Sequence, residues 1–301
     1  MSVPIAYIAV ILIWSTTPLG IQWSGVHGSF AFGLAMRMSI GLFALLVILT
    51  LRKTAIPWHK TARQVYYAGG ISMFAAMTLV YWSAQYIPSG WIAVIFGLSP
   101  IFTSIFSAFI LREKVFTAGR VTGMLLGISG LIVVFINSLN VAQLAWAGII
   151  GVVLSAISQS LGAVMIKKLK PDIPALAITA GSLIIALPGF LMIAIYQGGI
   201  PENLSVQTIT AIIYLAILGS ATGFPLYYFL LKNISAERVA LITLITPVTA
   251  LFIGAVFNAE TISTNIVFGS ALIISGLAVY EYGKYLPFRK KWSIRWLQKP
   301  L

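Results

Sequence analysis

Apolar residues run along this chain in ten long stretches, each separated from the next by a short polar, charged or Gly/Pro-containing segment. Each stretch is about 20 residues long, the length at which an α-helix crosses the hydrocarbon core of a bilayer. The pattern therefore predicts ten transmembrane helices. The predicted spans are 3–24, 30–51, 64–86, 89–111, 117–136, 145–166, 173–197, 206–231, 235–257 and 263–284.

The composition agrees with a chain that lies almost entirely within a membrane. Of its 301 residues, 59% are apolar and 8% are charged, and the mean hydropathy is +1.00. A soluble domain carries about a quarter charged residues, because water must wet its surface. The predicted connections are also too short to hold a separate domain, which excludes soluble enzymes and receptors with a soluble ectodomain. We predict an all-α integral membrane protein.

The basic residues predict an orientation. The chain has 19 Lys and Arg against 6 acidic residues, an excess that is typical of nucleic-acid binding or of the positive-inside rule. All but one of the 19 lie on one side of the ten predicted spans, or in the segment after the last span. Because topology accounts for them, no nucleic-acid partner is expected. Both termini are predicted to be cytoplasmic, in a multi-pass protein of the inner cell membrane.

The two halves of the chain repeat one another. Segment 81–100 aligns with segment 228–247, and Glu113 aligns with Glu260, each pair 147 positions apart. Since each half has an odd number of spans, the second half enters the membrane from the opposite face. Inverted repeats allow a central site to open alternately to each side, whereas a duplication that built only a scaffold is the alternative. The predicted domains are 1–140 (first repeat, spans one to five), 141–284 (second repeat, spans six to ten) and 285–301 (basic cytoplasmic tail).

Several motifs together resemble one transporter family. They are the Trp14-Ser15 pair, Arg37 in span two, segment 86–134 and its copy in segment 233–279. In their order of Pro, Glu and Gly residues they resemble the EamA-type members of the drug/metabolite transporter superfamily. The resemblance implies a ten-helix inner-membrane carrier of a small metabolite, often an amino acid or a related compound moved outward. It also implies a cavity lined mainly by spans one, three, four, six, eight and nine.

Arg37 is the one basic residue that topology does not explain. It lies about seven residues into a predicted span, a depth of roughly 10 Å at 1.5 Å per residue. An unpaired charge at such a depth costs on the order of 3 kcal/mol or more. One interpretation is that Arg37 attracts a substrate carboxylate or phosphate. The other is a structural Arg that bonds to carbonyl groups or extends outward to the membrane surface.

Polar and aromatic residues within the spans are further candidates for substrate binding. Tyr81 and Gln85, like Ser155 and Gln159, are four positions apart and therefore share a helix face. A buried amide needs hydrogen-bonding partners, and aromatic rings can stack on an apolar or cationic solute. Ordinary packing is the alternative for each aromatic residue. Together with Arg37, the candidates are Trp14, Thr17, Tyr81, Gln85, Trp91, Phe96, Ser155, Gln159, Thr222, Tyr227, Tyr228 and Thr243.

Pro100 and Pro247 occupy equivalent places in spans four and nine. Proline removes a backbone hydrogen bond and bends a helix, so both spans are predicted to kink near the middle of the membrane. These kinks are candidate hinges for alternating access. Kinks without any role in gating are the alternative.

Glycines recur at every fourth position in span five, at Gly119, Gly123 and Gly127, and Gly130 follows. Small residues at this spacing allow two membrane helices to approach closely. We predict that span five packs on span ten within a monomer. A contact between two copies in a dimer is the alternative.

The acidic and histidine residues are poorly placed for catalysis. Glu113 and Glu260 lie at span ends, where helix caps or ion-pair partners are expected, and no acidic residue stands in the middle of a span. Asp172, His27 and His59 all fall in connections, so an aspartyl pair, a catalytic triad or a metal cluster has no candidate residues. We expect no enzymatic activity, no metal and no cofactor.

The predicted function is secondary-type transport, as an exporter, of a small metabolite such as an amino acid or a related compound. The mechanism is alternating access between the two repeats. The expected partners are the small-molecule substrate and the lipid bilayer. A channel-like or lipid-handling membrane protein is the alternative, and an integral-membrane enzyme is the least supported class.

Overall fold

A computed structural model describes residues 2–25, 30–113, 118–135, 143–260 and 262–282. Within these ranges the chain is helical and has no strand, which confirms the all-α prediction. The first half contains α1 (Val3–Ser24), α2 (Phe30–Leu51), α3 (Lys60–Ser83), α4 (Ser89–Phe96), α5 (Ser99–Ile110) and α6 (Ala118–Phe135). The second half contains α7 (Gln143–Leu169), α8 (Ala175–Tyr196), α9 (Val206–Tyr214), a π-helical segment (Leu215–Gly223), α10 (Phe224–Asn233), α11 (Ala236–Ala240), α12 (Ile242–Asn258) and α13 (Thr264–Tyr282). The predicted tail, 285–301, lies outside the described residues.

The helices follow the hydrophobic pattern. Each predicted span coincides, within a few residues, with one helix or with consecutive helices. Seven helical segments in the described ranges are long and apolar enough to cross a bilayer. Large apolar side chains also cover the outside, with Leu12, Phe43 and Phe252 exposed by 65%, 70% and 65%. Such a surface is unfavourable in water and suits contact with lipid chains.

Span four is broken next to Pro100. The N–H of Gly97 donates to the carbonyl groups of Ala93 and Val94, and the N–H of Leu98 donates to Ile95, so α4 ends in a tight turn. Pro100 lies in the first turn of α5. N–H groups in the first turn have no hydrogen-bond partner within the helix, so the N–H that proline lacks is not needed there.

Span nine differs from span four at the equivalent place. Its break lies at Leu241, between α11 and α12, and α12 continues through Pro247 without interruption. A helix break therefore adjoins the proline in the first half only.

The middle of span eight is a π-helix. The segment Leu215–Gly223 connects α9 to α10, whereas the corresponding residues of the first half, 68–76, belong to the regular helix α3. π-helical turns are rare in proteins, and those that occur often lie at functional sites. The segment packs against α2, where a Cβ atom on Gly41 would lie 2.7 Å from the Cβ atom of Ser220.

Helices α6 and α13 pack closely along their glycines. A Cβ atom on Gly123 would lie 2.3 Å from the carbonyl oxygen of Gly276, and one on Gly130 would lie 2.6 Å from that of Gly269. Only glycine permits this approach of the two backbones. The predicted packing of span five on span ten is therefore present within one chain.

The helices that end spans four and nine terminate in the same way. Arg112 after α5 and Ala259 after α12 both have left-handed backbones, with φ of 56° and 52°. The N–H of Glu113 donates to Ser107 at 3.4 Å, and the N–H of Glu260 donates to Gly254 at 3.2 Å. In both cases the donor and the acceptor are six positions apart, and a left-handed residue ends the helix just before the glutamate. Equivalent positions of the two halves thus adopt one local structure.

Candidate substrate cavity

A cavity lies between the two halves of the chain, at the place where α1, α2, α3, α4, α7, α10 and α12 converge. The centre of a water molecule can occupy about 70 Å³ of it. One water needs about 10–15 Å³ by the same measure, so the cavity has room for several waters or a small solute. Its lining comprises Trp14, Thr17, Pro18, Ile21, Arg37, Met77, Val80, Ile92, Ala93, Phe96, Gln159, Phe224, Thr243 and Thr246.

Arg37 supplies the one charged side chain among these lining residues. It is 2% exposed, and its Nε donates to Ser220 Oγ at 3.0 Å. Its Nη1 donates to Tyr81 Oη at 3.3 Å, and the guanidinium carbon lies 5.9 Å from the centre of the Tyr81 ring. Both hydrogen-bonding partners are neutral, and among the described residues no carboxylate pairs with Arg37. The cavity therefore carries a net positive charge.

Aromatic residues form one wall of the cavity and continue beyond it. Trp14 lines the cavity and lies 5.2 Å, between ring centres, from Tyr227. Tyr227 in turn lies 5.4 Å from Tyr228, and its hydroxyl interacts with the side chain of Gln159. Gln159, which lines the cavity, thus has the partner that a buried amide requires.

The start of α4 decides which of its residues face the cavity. Ile92, Ala93 and Phe96 line it, and they cluster within about 100° of one another around the helix. Trp91 projects from the opposite side of α4 and packs against the apolar core. Of the two aromatic candidates in span four, only Phe96 lies in the cavity wall.

Six other candidates lie outside the lining: Tyr81, Tyr227 and Tyr228, whose contacts are given above, and Gln85, Ser155 and Thr222. Helix α3 ends at Ser83, so Gln85 falls in the following turn, is exposed, and donates to the carbonyl of Trp82. Ser155 is buried and donates to the carbonyl of Ala76 at 2.7 Å, which ties α7 to α3. Thr222 donates to the carbonyl of Ile217 within the π-helical segment.

Most lining residues that sequence reasoning missed are apolar. Met77 and Val80 lie on the Tyr81 side of α3, and Phe224 lies one turn before Tyr228. Thr246 is one turn after Thr243, so helical spacing from a residue already selected would have found it. The apolar positions had no signal of their own, because apolar residues fill every span.

Two further spaces, on the side of Lys167, share lining residues with the cavity in series. A chamber of about 20 Å³ shares Met77, Gln159 and Phe224 with the cavity, and is barely large enough for one water. Beyond it, a vestibule of about 610 Å³ shares Ile166 with the chamber. The vestibule is lined by Ile110, Leu111, Glu113, Ile166, Lys167, Lys168, Lys170, Pro171, Leu231 and Lys232.

A hydrogen-bond network surrounds Glu260 at the opposite end of the molecule. The carboxylate of Glu260 accepts the N–H and hydroxyl of Ser89 at 3.0 and 2.6 Å, and the N–H of Gly90 at 3.1 Å. Asn258 Nδ2 donates to Glu260 and to Gln22 Oε1 at 3.1 and 3.0 Å. The network joins the ends of α1, α4 and α12. Glu260 is thus a helix cap, as predicted, whereas the exposed Glu113 lines the vestibule.

A helical protein with an apolar outer surface and an internal cavity lined mainly by apolar residues and a few polar groups has the architecture of a membrane transporter. Residues 1–136 and 146–281 match the EamA-like transporter family, so the chain belongs to that family. The predicted resemblance to drug/metabolite transporters is confirmed. The chain is a multi-pass membrane transporter and not an enzyme.

The similar proteins include named transporters. The chain is 26% identical over 282 residues to "Uncharacterized transporter YoaV" of Bacillus subtilis (strain 168), covering 92% of this chain and 96% of that protein. It is 28% identical over 287 residues to an "Uncharacterized transporter" of Archaeoglobus fulgidus, covering 90% and 97%. It is 28% identical over 206 residues to a "Probable amino-acid metabolite efflux pump" of Salmonella typhimurium, covering 65% and 69%.

A solved crystal structure shares the fold. It superposes with a TM-score of 0.72 at 19% sequence identity, and covers 92% of this chain and 96% of that chain.

Proposed function

We propose that this transporter is a secondary exporter of a small metabolite, such as an amino acid or a related compound, and that it works by alternating access. The observation that carries the proposal is the cavity between the two halves. The Glu260 network joins helix ends on one side of the molecule, and the chamber and the vestibule share lining residues in series on the other side. The name of the Salmonella relative, an amino-acid metabolite efflux pump, supports this substrate class and direction.

The proposed topology has ten spans, with both termini in the cytoplasm of a cell with an inner membrane. It is supported by the distribution of the Lys and Arg residues, since the vestibule carries Lys167, Lys168, Lys170 and Lys232. In this orientation the vestibule opens to the cytoplasm and the Glu260 network closes the outer side.

The proposed mechanism requires two halves that hold different conformations and exchange them. The halves do differ. The first has the break at Gly97 and Leu98, whereas the second has the break at Leu241 and the π-helical segment. We propose that span four bends at the break beside Pro100, that span nine bends at Pro247 within the uninterrupted helix α12, and that the protein acts as a monomer in the bilayer.

Counterflow in proteoliposomes tests the proposed function. Purified protein is reconstituted, the vesicles are loaded with one member of a panel of amino acids, amines and organic acids, and uptake of the labelled compound is measured. Saturable uptake that accelerates with internal substrate is expected for a carrier. Conductance that does not saturate would instead favour the channel-like alternative and would contradict the proposal.

A further inference from the structure

We infer that Arg37 binds the carboxylate of a small organic monoanion, and that the cavity favours such acids over zwitterions, amides and amines. The inference rests on the proposed transport function, because it assigns a substrate class to the same cavity.

The first argument is charge balance. Arg37 is almost fully buried, and its two partners, Ser220 and Tyr81, are neutral hydroxyl groups. Hydrogen bonds to hydroxyl groups satisfy donors but do not cancel a positive charge. Removing a charge from water without an opposite charge is unfavourable. A monoanionic solute would supply that opposite charge on binding.

The second argument is the geometry of the guanidinium group. A guanidinium has five N–H donors, of which Ser220 and Tyr81 take one each. Arg37 also lines the cavity, so its other N–H groups have a ligand space beside them. The remaining donors suit a carboxylate, which can accept two parallel N–H bonds.

Two glycines make room for this arrangement. A Cβ atom on Gly219 would lie 2.9 Å from Arg37 Nη2. Gly41 admits the π-helical segment closely enough for Ser220 to reach Arg37. The backbone at both positions thus leaves the guanidinium its space.

The third argument is the absence of a site for an ammonium group. No described lining residue is acidic. The hydroxyl groups of Thr17 and Thr243 already donate to Ile13 and Ala240 carbonyls at 2.8 and 2.7 Å. These hydroxyl groups can still accept a hydrogen bond from an ammonium group, but they are neutral and do not supply an opposite charge, and the ammonium would also be repelled by Arg37. The cavity therefore compensates a carboxylate better than a zwitterion.

Binding to the purified full-length protein tests the inference. Monocarboxylates from butanoate to 4-methylpentanoate and 3-phenylpropanoate are each compared with the amide and the amine of the same skeleton, and with leucine or phenylalanine where these match. Kd is measured by calorimetry and checked by thermal stabilisation. We expect at least one acid to bind about tenfold or more tightly than its amide, because a charge-assisted hydrogen bond is lost, and than its amino acid, because the added ammonium group loses water without gaining an opposite charge. If no acid exceeds its amide, or if the amino acids bind equally well, the inference is wrong.

Substitutions at Arg37 test whether this side chain causes the preference for acids over amides. Arg37→Gln is expected to reduce the acid-to-amide affinity ratio to about one, whereas Arg37→Lys keeps the charge and part of the preference. Arg63→Gln makes the same change at an exposed position of α3 and is expected to leave the ratio unaltered. An unchanged ratio in Arg37→Gln would contradict the assignment. If Arg37→Gln does not fold, the acid-to-amide affinity ratio of Arg37→Lys is compared with that of the wild type. A reduced ratio supports the assignment, and an unchanged ratio contradicts it.

Failure of the inference and failure of the proposed function give different results. Saturable counterflow of neutral or cationic solutes with no preference for acids would leave the transporter proposal intact and overturn the carboxylate assignment. Tight binding of acids that depends on Arg37, without counterflow, would support the carboxylate assignment and overturn the transporter proposal.

Discussion

At the scale of single residues, Arg37 is the feature that sequence reasoning selected and that the cavity contains. It was selected because it alone lies away from the basic side of the predicted spans, and it lines the cavity with Ser220 and Tyr81 as its partners. Ser220 had no such signal, since it is a small residue in an apolar span. Its proximity to Arg37 depends on how α2 packs against the π-helical segment, which no local pattern encodes.

The substitution Gly219→Ala is expected to weaken carboxylate binding. The added Cβ atom would lie 2.9 Å from Arg37 Nη2, so the guanidinium must move by a few tenths of an ångström. We expect the Kd of the best monocarboxylate to rise about tenfold, the cost of one poorly made charge-assisted hydrogen bond. Calorimetry on the purified variant measures it.

Gly127→Ala is the matched control for this substitution, because its Cβ atom would meet nothing closer than Ile101 Cδ1 at 3.8 Å. Its Kd should equal that of the wild type. A wild-type Kd in Gly219→Ala would mean that Nη2 does not contact the ligand.

At the scale of helices, hydrophobic length predicted where each helix lies but not where it breaks. The bend of span four was predicted from Pro100, next to the break at Gly97 and Leu98, whereas the π-helical segment lies in apolar sequence that would also suit a regular helix. Helix ends also decided which candidates share a face. Gln85 does not share a helix face with Tyr81, because α3 ends at Ser83. Tertiary packing sets these ends, and the sequence pattern does not record it.

The Glu260 network makes an element-scale prediction. In Glu260→Gln, the amide cannot accept all the hydrogen bonds from Ser89, Gly90 and Asn258, and the charge at the N-terminus of α4 is lost. We expect the free energy of unfolding to fall by about 1–3 kcal/mol. Thermal and denaturant unfolding in detergent measure the change.

Glu202→Gln provides the control, because it makes the same substitution at an exposed position in the connection between α8 and α9. Its stability should stay within about 0.5 kcal/mol of the wild type. Equal stability of the two variants would show that Glu260 does not hold the end of α4.

At the scale of the whole molecule, the proposed mechanism is that the cavity between the two halves opens to one side of the membrane at a time. The repeated sequence predicts two halves of one kind, and their equivalent helix ends at Arg112 and Ala259 agree with it. The halves differ at the breaks in spans four and nine and at the π-helical segment. A sequence repeat cannot predict such differences, because two conformations of one unit are compatible with the same pattern.

The most direct measurement is the accessibility of a single cysteine in the cavity. The chain has no cysteine, so Ala93→Cys places one thiol at a buried lining position. A membrane-impermeant thiol reagent is applied to one side of the membrane at a time, to this variant with Glu260 intact and with Glu260→Gln. The account predicts labelling from both sides, with Glu260→Gln accelerating labelling from outside and slowing it from inside. Labelling from one side only, or rates that change together on both sides, would contradict alternating access.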